Sequence, residues 1–264
     1  RHGGSHIMTK SVVITGATGG LGMALAAAYA GPDTALLLIG RNNIRLGECA
    51  ASARLAGADV TTAEVDVRDR QAMETALCRY DDAHPVSLVI VNAGVTSGLG
   101  EDGVDPASRR QVEVNLLGAS NSVAPLISRM IGRSAGQVAL VSSLAALRPQ
   151  PALAAYSASK AGLRAWGVAL RTALAPRGIR VCVVCPGFID TPMAARHRGT
   201  KPWVVSAEDA ADKIKTGLAK GRRIISFPWP MVVLIRFGNL FPPALSDWFE
   251  RRFAATIQSD GEGE

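Results

Sequence analysis

Short apolar runs alternate with longer Ala- and Leu-rich segments along most of the chain. Each run has the length of a strand, and the segments between them have the length and composition of helices. Strands that are apolar on both faces are typical of parallel sheets covered by helices on both sides. The pattern therefore predicts an α/β fold built on a parallel sheet. The predicted strands are residues 12–14, 35–39, 59–65, 87–91, 137–143, 179–185 and 222–227.

The first predicted strand leads into a glycine-rich turn. Residues 15–22 read TGATGGLG, and an Ala-rich helix follows to about Ala30. A strand, a glycine-rich turn and a helix N-terminus together offer backbone N–H groups to a pyrophosphate. The spacing G-x-x-x-G-x-G differs from the more common G-x-G-x-x-G, and either spacing alone is a weak signal. The turn is a candidate dinucleotide site.

The end of the second strand bears on which dinucleotide is bound. An acidic residue there would accept a hydrogen bond from the adenosine 2′-hydroxyl and select NAD(H). This chain has Gly40 followed by Arg41, and a guanidinium suits a 2′-phosphate in charge and geometry. A charge-assisted hydrogen bond contributes about 1.5–3 kcal/mol, which corresponds to roughly a ten- to hundredfold preference for NADP(H). The alternative is a helix-capping turn with an exposed arginine.

Three side chains suited to acid–base chemistry follow the fifth strand. Ser143 ends that strand, and Tyr156 and Lys160 are four residues apart on a predicted helix, where they share one face. Tyrosine has a pKa of about 10, but an ammonium group about 4 Å away would favour the phenolate by roughly 4 kcal/mol. We therefore expect Lys160 to lower the pKa of Tyr156 towards neutrality, where general acid–base catalysis is most effective. The alternative is a tyrosine and a lysine on an exposed helix surface.

Other polar residues lie near predicted strand ends or in apolar surroundings. Asp66 and Val67 close the third strand, where an adenine is expected, and Asn92 follows the fourth. Such groups gather at the carboxyl edge of a parallel sheet. Asn115 lies among apolar residues of a predicted helix, where a buried amide needs partners. From the residues alone, a structural role for Asn115 is as acceptable as a functional one.

Five motifs in order resemble the short-chain dehydrogenase/reductase family, in its single-domain branch of about 250 residues. They are TGATGGLG, the NAG that begins at Asn92, Asn115, Ser143-x12-Tyr156-x3-Lys160, and PGFIDT from Pro186, and the match covers Thr9 to about Pro228. The resemblance implies a Rossmann-type, doubly wound sheet of seven parallel strands and NAD(P)-dependent hydride transfer.

The resemblance also implies roles for individual residues. Tyr156 exchanges a proton with the substrate, Lys160 binds the nicotinamide ribose and tunes Tyr156, Ser143 holds the substrate oxygen, and Asn115 supports a proton relay. The implied cofactor-binding residues are Gly16, Thr18, Gly20, Leu21, Gly22, Arg41, Asp66, Val67, Asn92, Ala93, Gly94, Tyr156, Lys160, Pro186, Gly187, Ile189 and Thr191. Arg41 matches the NADP-preferring pattern of the family. The basic residue that many such members carry inside the glycine turn is absent. NADP(H) is therefore favoured over NAD(H) by Arg41 alone.

The chain continues beyond the last strand, past the point where most members of that family end. Residues 231–241 are almost wholly apolar, and the apolar residues of the segment 245–253 recur at helical spacing. This apolar, helical extension is too short to span a bilayer, but it could lie in the membrane interface with its arginines on anionic lipid. The alternative is packing over the substrate cleft or against a partner subunit. Both interpretations favour an apolar, lipid-like substrate.

Composition narrows the function further. The chain has 264 residues and a formal net charge of +7, with few aromatic residues between its basic clusters, so nucleic acid is not an expected partner. The four cysteines are expected to be reduced, and no metal site is predicted, because the CxxC at 182–185 lies in a strand without a second pair. We divide the chain into a tag remnant (1–7), a dehydrogenase/reductase domain (8–228) and the extension (229–264).

The sequence supports two functional hypotheses. The leading one is an NADP(H)-dependent oxidoreductase that interconverts a carbonyl and a secondary alcohol on an apolar small molecule, with Tyr156 as the acid/base. The alternative is a nucleotide-sensing, membrane-recruited binding protein on the same fold. A homodimer is expected, because the extension would block the tetramer usual in the family. A cytoplasmic location is expected, with peripheral contact to the inner face of the membrane.

Overall fold

The central feature is one seven-stranded parallel sheet. The computed structural model describes residues 10–98, 107–198, 200–241 and 256–257. The strands are β1 Lys10–Thr15, β2 Thr34–Gly40, β3 Asp59–Glu64, β4 Leu88–Val91, β5 Gly136–Val141, β6 Ile179–Pro186, β7 His197–Arg198, β8 Ile224–Phe227 and β9 Thr256–Ile257. In the sheet they lie in the order β3-β2-β1-β4-β5-β6-β8. The seven-stranded, doubly wound Rossmann-type fold is confirmed. The predicted remnant at 1–7 lies outside the described residues.

Helices cover both faces of the sheet. The helices are α1 Gly20–Tyr29, α2 Asn43–Leu55, α3 Arg70–Ala83, α4 Ser108–Val112, α5 Gly118–Arg133, α6 Ala154–Leu174, α7 Pro192–Ala195, α8 Ala207–Ala219 and α9 Trp229–Gly238. A π-helical turn at Glu113–Leu117 joins α4 to α5, and 3-10 turns lie at Leu144–Ala146, Pro151–Leu153 and Ala175–Arg177. One core lies under α1, α2 and α8, and a second under α3, α5 and α6.

The strand register brings the carboxyl ends of the strands to one edge. Thr15 at the end of β1 pairs with Ile39 of β2 on one side and with Val91 of β4 on the other. Chain order reverses between β1 and β4, which is the switch point where open α/β sheets bind ligands. Strand β2 is buried along its whole length. The sheet therefore provides a rigid floor for the residues that follow β1, β2 and β4.

The first helix of the extension, α9, packs beside the turn that follows β5. Its inward residues Met231, Val232 and Ile235 contact a cluster that includes Leu144 and Cys185. The predicted helical character is confirmed for α9, whereas the apolar repeat at 245–253 lies outside the described residues. The pair Thr256–Ile257 lies antiparallel to His197–Arg198. Within the part of the chain that the structure describes, no helix combines the length and hydropathy needed to cross a bilayer.

A buried carboxylate joins α3 to α5. The side chain of Asp81 is 1% exposed and receives hydrogen bonds from Arg133 at 2.8 Å, Arg129 at 3.2 Å and the Val86 N–H at 2.8 Å. Burial alone would raise the pKa of Asp81, but the bonds from Arg133, Val86 and Arg129 outweigh burial, so its pKa lies below the ordinary value. This carboxylate stabilises the fold in its ionised form.

Asp81→Asn is expected to lower the free energy of unfolding by about 1–3 kcal/mol, because it leaves the partly buried Arg133 without its carboxylate, while Arg129 keeps only its ion pair with Asp82. Since the folded pKa of Asp81 is depressed, this stabilisation is present above the unfolded pKa of about 3.9 and is lost as pH falls through the folded value. Urea unfolding near neutral pH and below about pH 4 measures both effects. The variant should lose less stability than the parent on acidification.

Asp82→Asn is the matched control, because Asp82 is the neighbouring acid and its side chain is 65% exposed to solvent. Its substitution should change the free energy of unfolding by less than about 1 kcal/mol. Equal losses for Asp81→Asn and Asp82→Asn would contradict the role given to the buried carboxylate.

Candidate active site

The glycine-rich turn lies directly against the loop that follows β4. Gly16 has φ +65°, and a Cβ placed on it would lie 2.7 Å from Ala93 Cα and 3.2 Å from Asn92 Nδ2. A Cβ on Gly22 would collide with the Gly16 carbonyl oxygen. A side chain at Gly16 would push the turn away from the loop after β4, and one at Gly22 would push the start of α1 away from the turn, so both close approaches depend on glycine. The structure thus brings together Gly16, Gly22, Asn92 and Ala93.

Thr15 holds this junction, although it is not among the predicted site residues. Its buried Oγ1 accepts hydrogen bonds from the N–H groups of Asn92 at 3.1 Å and Ala93 at 3.2 Å. Asn92 Nδ2 donates in return to the carbonyls of Thr15 at 3.2 Å and Gly16 at 3.1 Å. The available signal was a hydroxyl residue inside an otherwise apolar strand, immediately before the first glycine of the turn.

The segment after β6 crosses the glycine turn from the other side. A Cβ on Gly20 would lie 2.7 Å from Thr191 Cγ2. Thr191 caps α7 by accepting from the Ala194 N–H, and its hydroxyl donates to the Ile189 carbonyl. Pro186 pairs with Phe227 of β8, and the Gly187 N–H donates to the Phe227 carbonyl. The predicted residues at 186–191 therefore lie between the glycine turn and the start of α9.

Two predicted residues have side chains turned into the core. Leu21 belongs to the core under α1, α2 and α8. Val67 packs against Gly118, where an added Cβ would meet Val67 Cγ2 at 2.6 Å. Leu21 can therefore offer a ligand only its backbone. The Val67 carbonyl already accepts a hydrogen bond from Asn121 at 2.9 Å.

The end of β2 has no room for a side chain. Gly40 is buried, and a Cβ there would lie 2.9 Å from Thr18 Cγ2 and 3.2 Å from Thr18 Oγ1. An acidic residue at this position would therefore displace Thr18. The next residue, Arg41, is exposed and forms no ion pair with any residue in the described ranges. The edge of the site that would meet the adenosine ribose thus presents a cation and no carboxylate of its own.

Asp66, an acid that interacts electrostatically with Arg41, is already neutralised by another residue. Asp66 accepts three side-chain hydrogen bonds from Arg68, at 2.8–3.1 Å. These bonds, against the opposing effect of burial, hold the pKa of Asp66 below its ordinary value. Arg68 was not predicted from the sequence. A hollow of about 490 Å³ lies beside this pair and is lined by Asp66, Arg68, Asp69, Glu113 and Leu117.

Ser143 and Tyr156 meet at the carboxyl edge of β5. The strand ends at Val141, two residues earlier than predicted, and Ser143 caps the following 3-10 turn by accepting from the Ala145 N–H at 3.1 Å. Burial raises the pKa of Tyr156, and a hydrogen bond with Ser143 opposes the rise without cancelling it. Tyr156 is therefore a neutral phenol near neutral pH, with its hydroxyl beside that of Ser143.

Lys160 does not lower the pKa of Tyr156 here, which corrects the sequence expectation. Lys160 Nζ lies 5.9 Å from the Tyr156 ring centroid and donates to the Val141 carbonyl at 2.9 Å. The surroundings are water-poor, so burial lowers the pKa of Lys160 itself to about 8. Desolvation disfavours both the phenolate and the ammonium, and at this separation it outweighs their mutual attraction.

Asn115 sits in the π-helical turn between α4 and α5 and is fully buried. Its Oδ1 accepts from the Val95 N–H at 2.8 Å, and its Nδ2 donates to the Val95 carbonyl at 2.9 Å and to Ser159 Oγ at 3.0 Å. Ser159 in turn donates to the Tyr156 carbonyl at 2.8 Å. Asn115 therefore joins the loop after β4 to the helix that carries Tyr156.

Sequence reasoning missed two serines that fix α6. Ser159 links Asn115 to Tyr156, and Ser142 Oγ donates to the Lys160 carbonyl at 2.8 Å. Both side chains are at most 2% exposed. The signal for each was adjacency to a predicted site residue, but serine is common enough that adjacency alone did not distinguish them.

Gly94 lies so close to Asn115 and Lys160 that the addition of one methyl group tests their positions. An added Cβ would lie 3.2 Å from both Asn115 Oδ1 and Lys160 Nζ. Gly94→Ala should therefore displace one or both groups by a few tenths of an ångström and lower kcat/KM by about ten- to hundredfold. Steady-state kinetics measures the loss. Gly132→Ala is the control, because nothing lies within 4 Å of its added Cβ; equal activity in both variants would contradict the tight contact.

These residues fit a dinucleotide. Gly16, Gly19 and Gly20 of the turn are at least partly exposed and carry no Cβ atoms, and Arg41 is an exposed cation at the end of β2. Lys160, Tyr156 and Ser143 stand at the other end of the same sheet edge. Within the described ranges no group of three or more His, Cys, Asp or Glu side chains is placed to hold a metal ion.

Comparison with known proteins identifies relatives of the whole unit. The family model described as short chain dehydrogenase matches residues 10–202. An uncharacterized oxidoreductase of Mycobacterium tuberculosis is 34% identical over 259 residues, covering 94% of this chain and 98% of that protein.

Two further relatives have names that state an activity. 1-Deoxy-11-beta-hydroxypentalenate dehydrogenase of Streptomyces exfoliatus is 35% identical over 82% of each chain. 3-Dehydrosphinganine reductase of Arabidopsis thaliana is 32% identical over 76% of this chain and 61% of that protein.

Solved structures of low sequence identity share the fold. A short-chain dehydrogenase from Sphingobium yanoikuyae in complex with NADPH has a TM-score of 0.75 at 24% identity, covering 88% of this chain and 95% of that one. A short-chain dehydrogenase from Mycobacterium paratuberculosis bound to NAD has a TM-score of 0.74 at 24% identity, covering 84% of this chain and 96% of that one.

Proposed function

Because this chain belongs to the short-chain dehydrogenase family of oxidoreductases, we propose that it reduces a carbonyl of an apolar small molecule to a secondary alcohol with NADPH. The observation that carries the proposal is the pair of hydroxyls, Ser143 and Tyr156, held next to buried Lys160 at the carboxyl edge of β5. Tyr156 is the proposed acid, and Ser143 the group that orients the substrate oxygen.

The reductive direction is favoured by the protonation state of Tyr156. A raised pKa keeps the proton on the phenol, and reduction of a carbonyl requires an acid that gives its proton to the substrate oxygen. Ser143 donates to the same oxygen and so aligns it with Tyr156. A bound nicotinamide supplies the hydride. Asn115, whose Oδ1 borders Gly94 together with Lys160 Nζ, is proposed to support a water-linked relay that returns a proton from solvent to Tyr156.

The cofactor preference is proposed from the adenosine end of the site. Arg41 is exposed and unpaired within the described ranges, Gly40 leaves no space for an acid, and Arg68 neutralises Asp66. A 2′-phosphate would therefore meet positive charge without a competing carboxylate. The glycine turn and residues 186–191 would hold the rest of the dinucleotide.

Lys160 makes cofactor binding dependent on pH. Its pKa of about 8 means that the ammonium form prevails below that pH and is lost above it. We expect the affinity for NADPH to be nearly constant below about pH 8 and to weaken above it, by at most about tenfold per pH unit. Fluorescence titration of NADPH across this range measures the change. Lys160→Met should bind more weakly and show no such step; a parallel step in both proteins would contradict the assignment.

An apolar substrate is supported by the side chains that border the Ser143 turn. Leu144, Leu147, Met231 and Ile235 pack together beside it. The direct test is a screen of long-chain ketones and alcohols with NADPH or NADP⁺, followed at the nicotinamide absorbance. NADPH oxidation with a long-chain ketone is the expected result. Turnover with none of these substrates in either direction would argue against the proposed activity.

The alternative of a nucleotide-sensing binding protein has no support from the named relatives, whose names state a dehydrogenase and a reductase. The homodimer and the cytoplasmic location remain predictions. Light scattering of the full chain measures the oligomeric state, and fractionation of cells that produce the protein tests the location.

A further inference from the structure

Helix α9 is apolar on the side that faces solvent as well as on the side that faces the core. Its inward residues Met231, Val232 and Ile235 pack beside the Ser143 turn. Its outward face, together with two residues just beyond Asn239, carries six large apolar side chains that are 42–78% exposed. These are Trp229, Val233, Leu234, Phe237, Leu240 and Phe241. We refer to these six side chains as the outer face of α9.

The outer face is one continuous strip. At about 100° per residue, Trp229, Val233 and Phe237 share one side of the helix with Leu234 beside them, and the ring of Phe241 continues the strip at 5.1 Å from that of Phe237. Their exposed surface amounts to several hundred Å², which is at or above the roughly 300–600 Å² of the largest patch on a typical monomer. A helix that is apolar all round is one that buries both sides. The outer face therefore needs an occupant.

The charge around α9 defines the chemistry of that occupant. Residues 219–241 contain no Asp or Glu, and Arg236 flanks the outer face. Arg148 lies at the other end of the helix, where it donates to Asn239 Oδ1 at 3.3 Å. The chain from residue 114 to residue 189, which includes the elements under α9, has seven Arg and one Lys and no acidic residue. An apolar strip flanked by arginines, with no acidic residue in 219–241, matches an anionic partner.

A second copy of the chain fits this face poorly. Two-fold pairing places the same surface on both subunits, so Arg236 would meet another arginine border, and residues 219–241 offer it no carboxylate. A lipid surface has the opposite character, because anionic headgroups surround an apolar interior. Tryptophan at the start of the helix suits the depth of the headgroups. We infer that α9 docks the protein on an anionic membrane surface, with its outer face in the acyl boundary and its arginines on lipid phosphates.

Docking through α9 would also place the catalytic cleft next to lipid. The inward face of the same helix borders the Ser143 turn, and Asn239 Nδ2 holds that turn through the Leu147 carbonyl at 3.1 Å. An apolar substrate could then pass from the bilayer to Ser143 and Tyr156 without crossing water. This consequence rests on the proposed function, whereas the docking itself does not.

Vesicle flotation of the full chain tests the docking, without cofactor or substrate. Phosphatidylcholine vesicles with phosphatidylglycerol should carry the protein, and those of phosphatidylcholine alone should carry much less. Added salt should release it, because salt screens the arginines. The double variant Leu234→Ser, Phe237→Ser should bind about tenfold less or weaker still. The control Ile44→Ser, Leu55→Ser removes two apolar side chains from α2 that are more exposed than Leu234 and Phe237, and it should bind like the parent.

Arg236→Gln is a second, milder variant that separates charge from apolar contact. It should reduce the preference for phosphatidylglycerol and leave the melting temperature unchanged. The inference is overturned if the parent does not float, if the double variant floats as the parent does, or if Arg236→Gln and salt leave binding unchanged. It is also overturned if the double variant converts a dimer to a monomer while the parent ignores vesicles, since the occupant is then a second copy. An inactive enzyme that still floats would refute the catalytic proposal alone.

Discussion

Tyr156→Phe is expected to lower kcat by about a thousandfold while the dissociation constant for NADPH stays within about twofold of the parent value. The substitution removes one oxygen from a side chain whose hydroxyl is hydrogen-bonded to Ser143. Ring packing and the position of Lys160 are retained, so the loss measures the proton that Tyr156 supplies. Single-turnover kinetics with an active ketone gives the rate, and fluorescence titration gives the affinity.

Tyr29→Phe is the matched control, since it removes the same atom from a tyrosine buried in the core under α1, and it should keep full turnover. A Tyr156→Phe enzyme with near-parental kcat would show that another group supplies the proton. A loss of NADPH affinity as large as the loss of rate would show that Tyr156 acts in binding rather than in chemistry.

Arg41→Ala is expected to weaken NADPH binding by about ten- to hundredfold and NADH binding by less than about threefold. Arg41 is the exposed cation at the end of β2, it is unpaired within the described ranges, and the neighbouring Asp66 is occupied by Arg68. Only NADPH carries the 2′-phosphate, so the difference between the two cofactors isolates that contact. Titration of both cofactors with each protein measures it.

Arg45→Ala removes the same charge from the first turn of α2. It controls for the effect of the overall charge of the protein on cofactor binding. It should weaken both cofactors equally and only slightly. Equal losses of NADPH and NADH in Arg41→Ala would remove the basis for NADP(H) selectivity. A loss in Arg45→Ala as large as in Arg41→Ala would assign the effect to overall charge.

The sequence pattern was sufficient to predict the sheet, because burial on both faces of a strand produces a continuous apolar run. All seven residues of β2 are buried, and such a run cannot alternate between polar and apolar positions. Strand ends then followed from where the apolar runs stopped, to within one or two residues. The same logic placed the glycine turn, Asn92 and Ser143 at one edge, because carboxyl ends of parallel strands lie together, whereas Thr191 was assigned through the family resemblance.

The direction of the pKa shift of Tyr156 could not be predicted from the sequence pattern. Helical spacing places Tyr156 and Lys160 on one face, but spacing does not state how much water remains around them. In the folded chain Lys160 donates to the Val141 carbonyl, and burial dominates the pKa of both groups. The π-helical turn that carries Asn115 contacts α6, and the hydrogen bonds of Asn115 with Val95 and Ser159 likewise form only in the folded chain.

The pattern of residues along the chain thus determined the α/β class, the positions where the strands end and the residue types at the site, because each of these depends on neighbours in sequence. Tertiary structure alone decided how far those residues stand from each other, which groups lose their water, and which side of α9 is left without a partner. The reason is physical: desolvation and charge interaction depend on distance through space, and residues such as Asn115 and Ser159, 44 positions apart, meet only when the chain has folded.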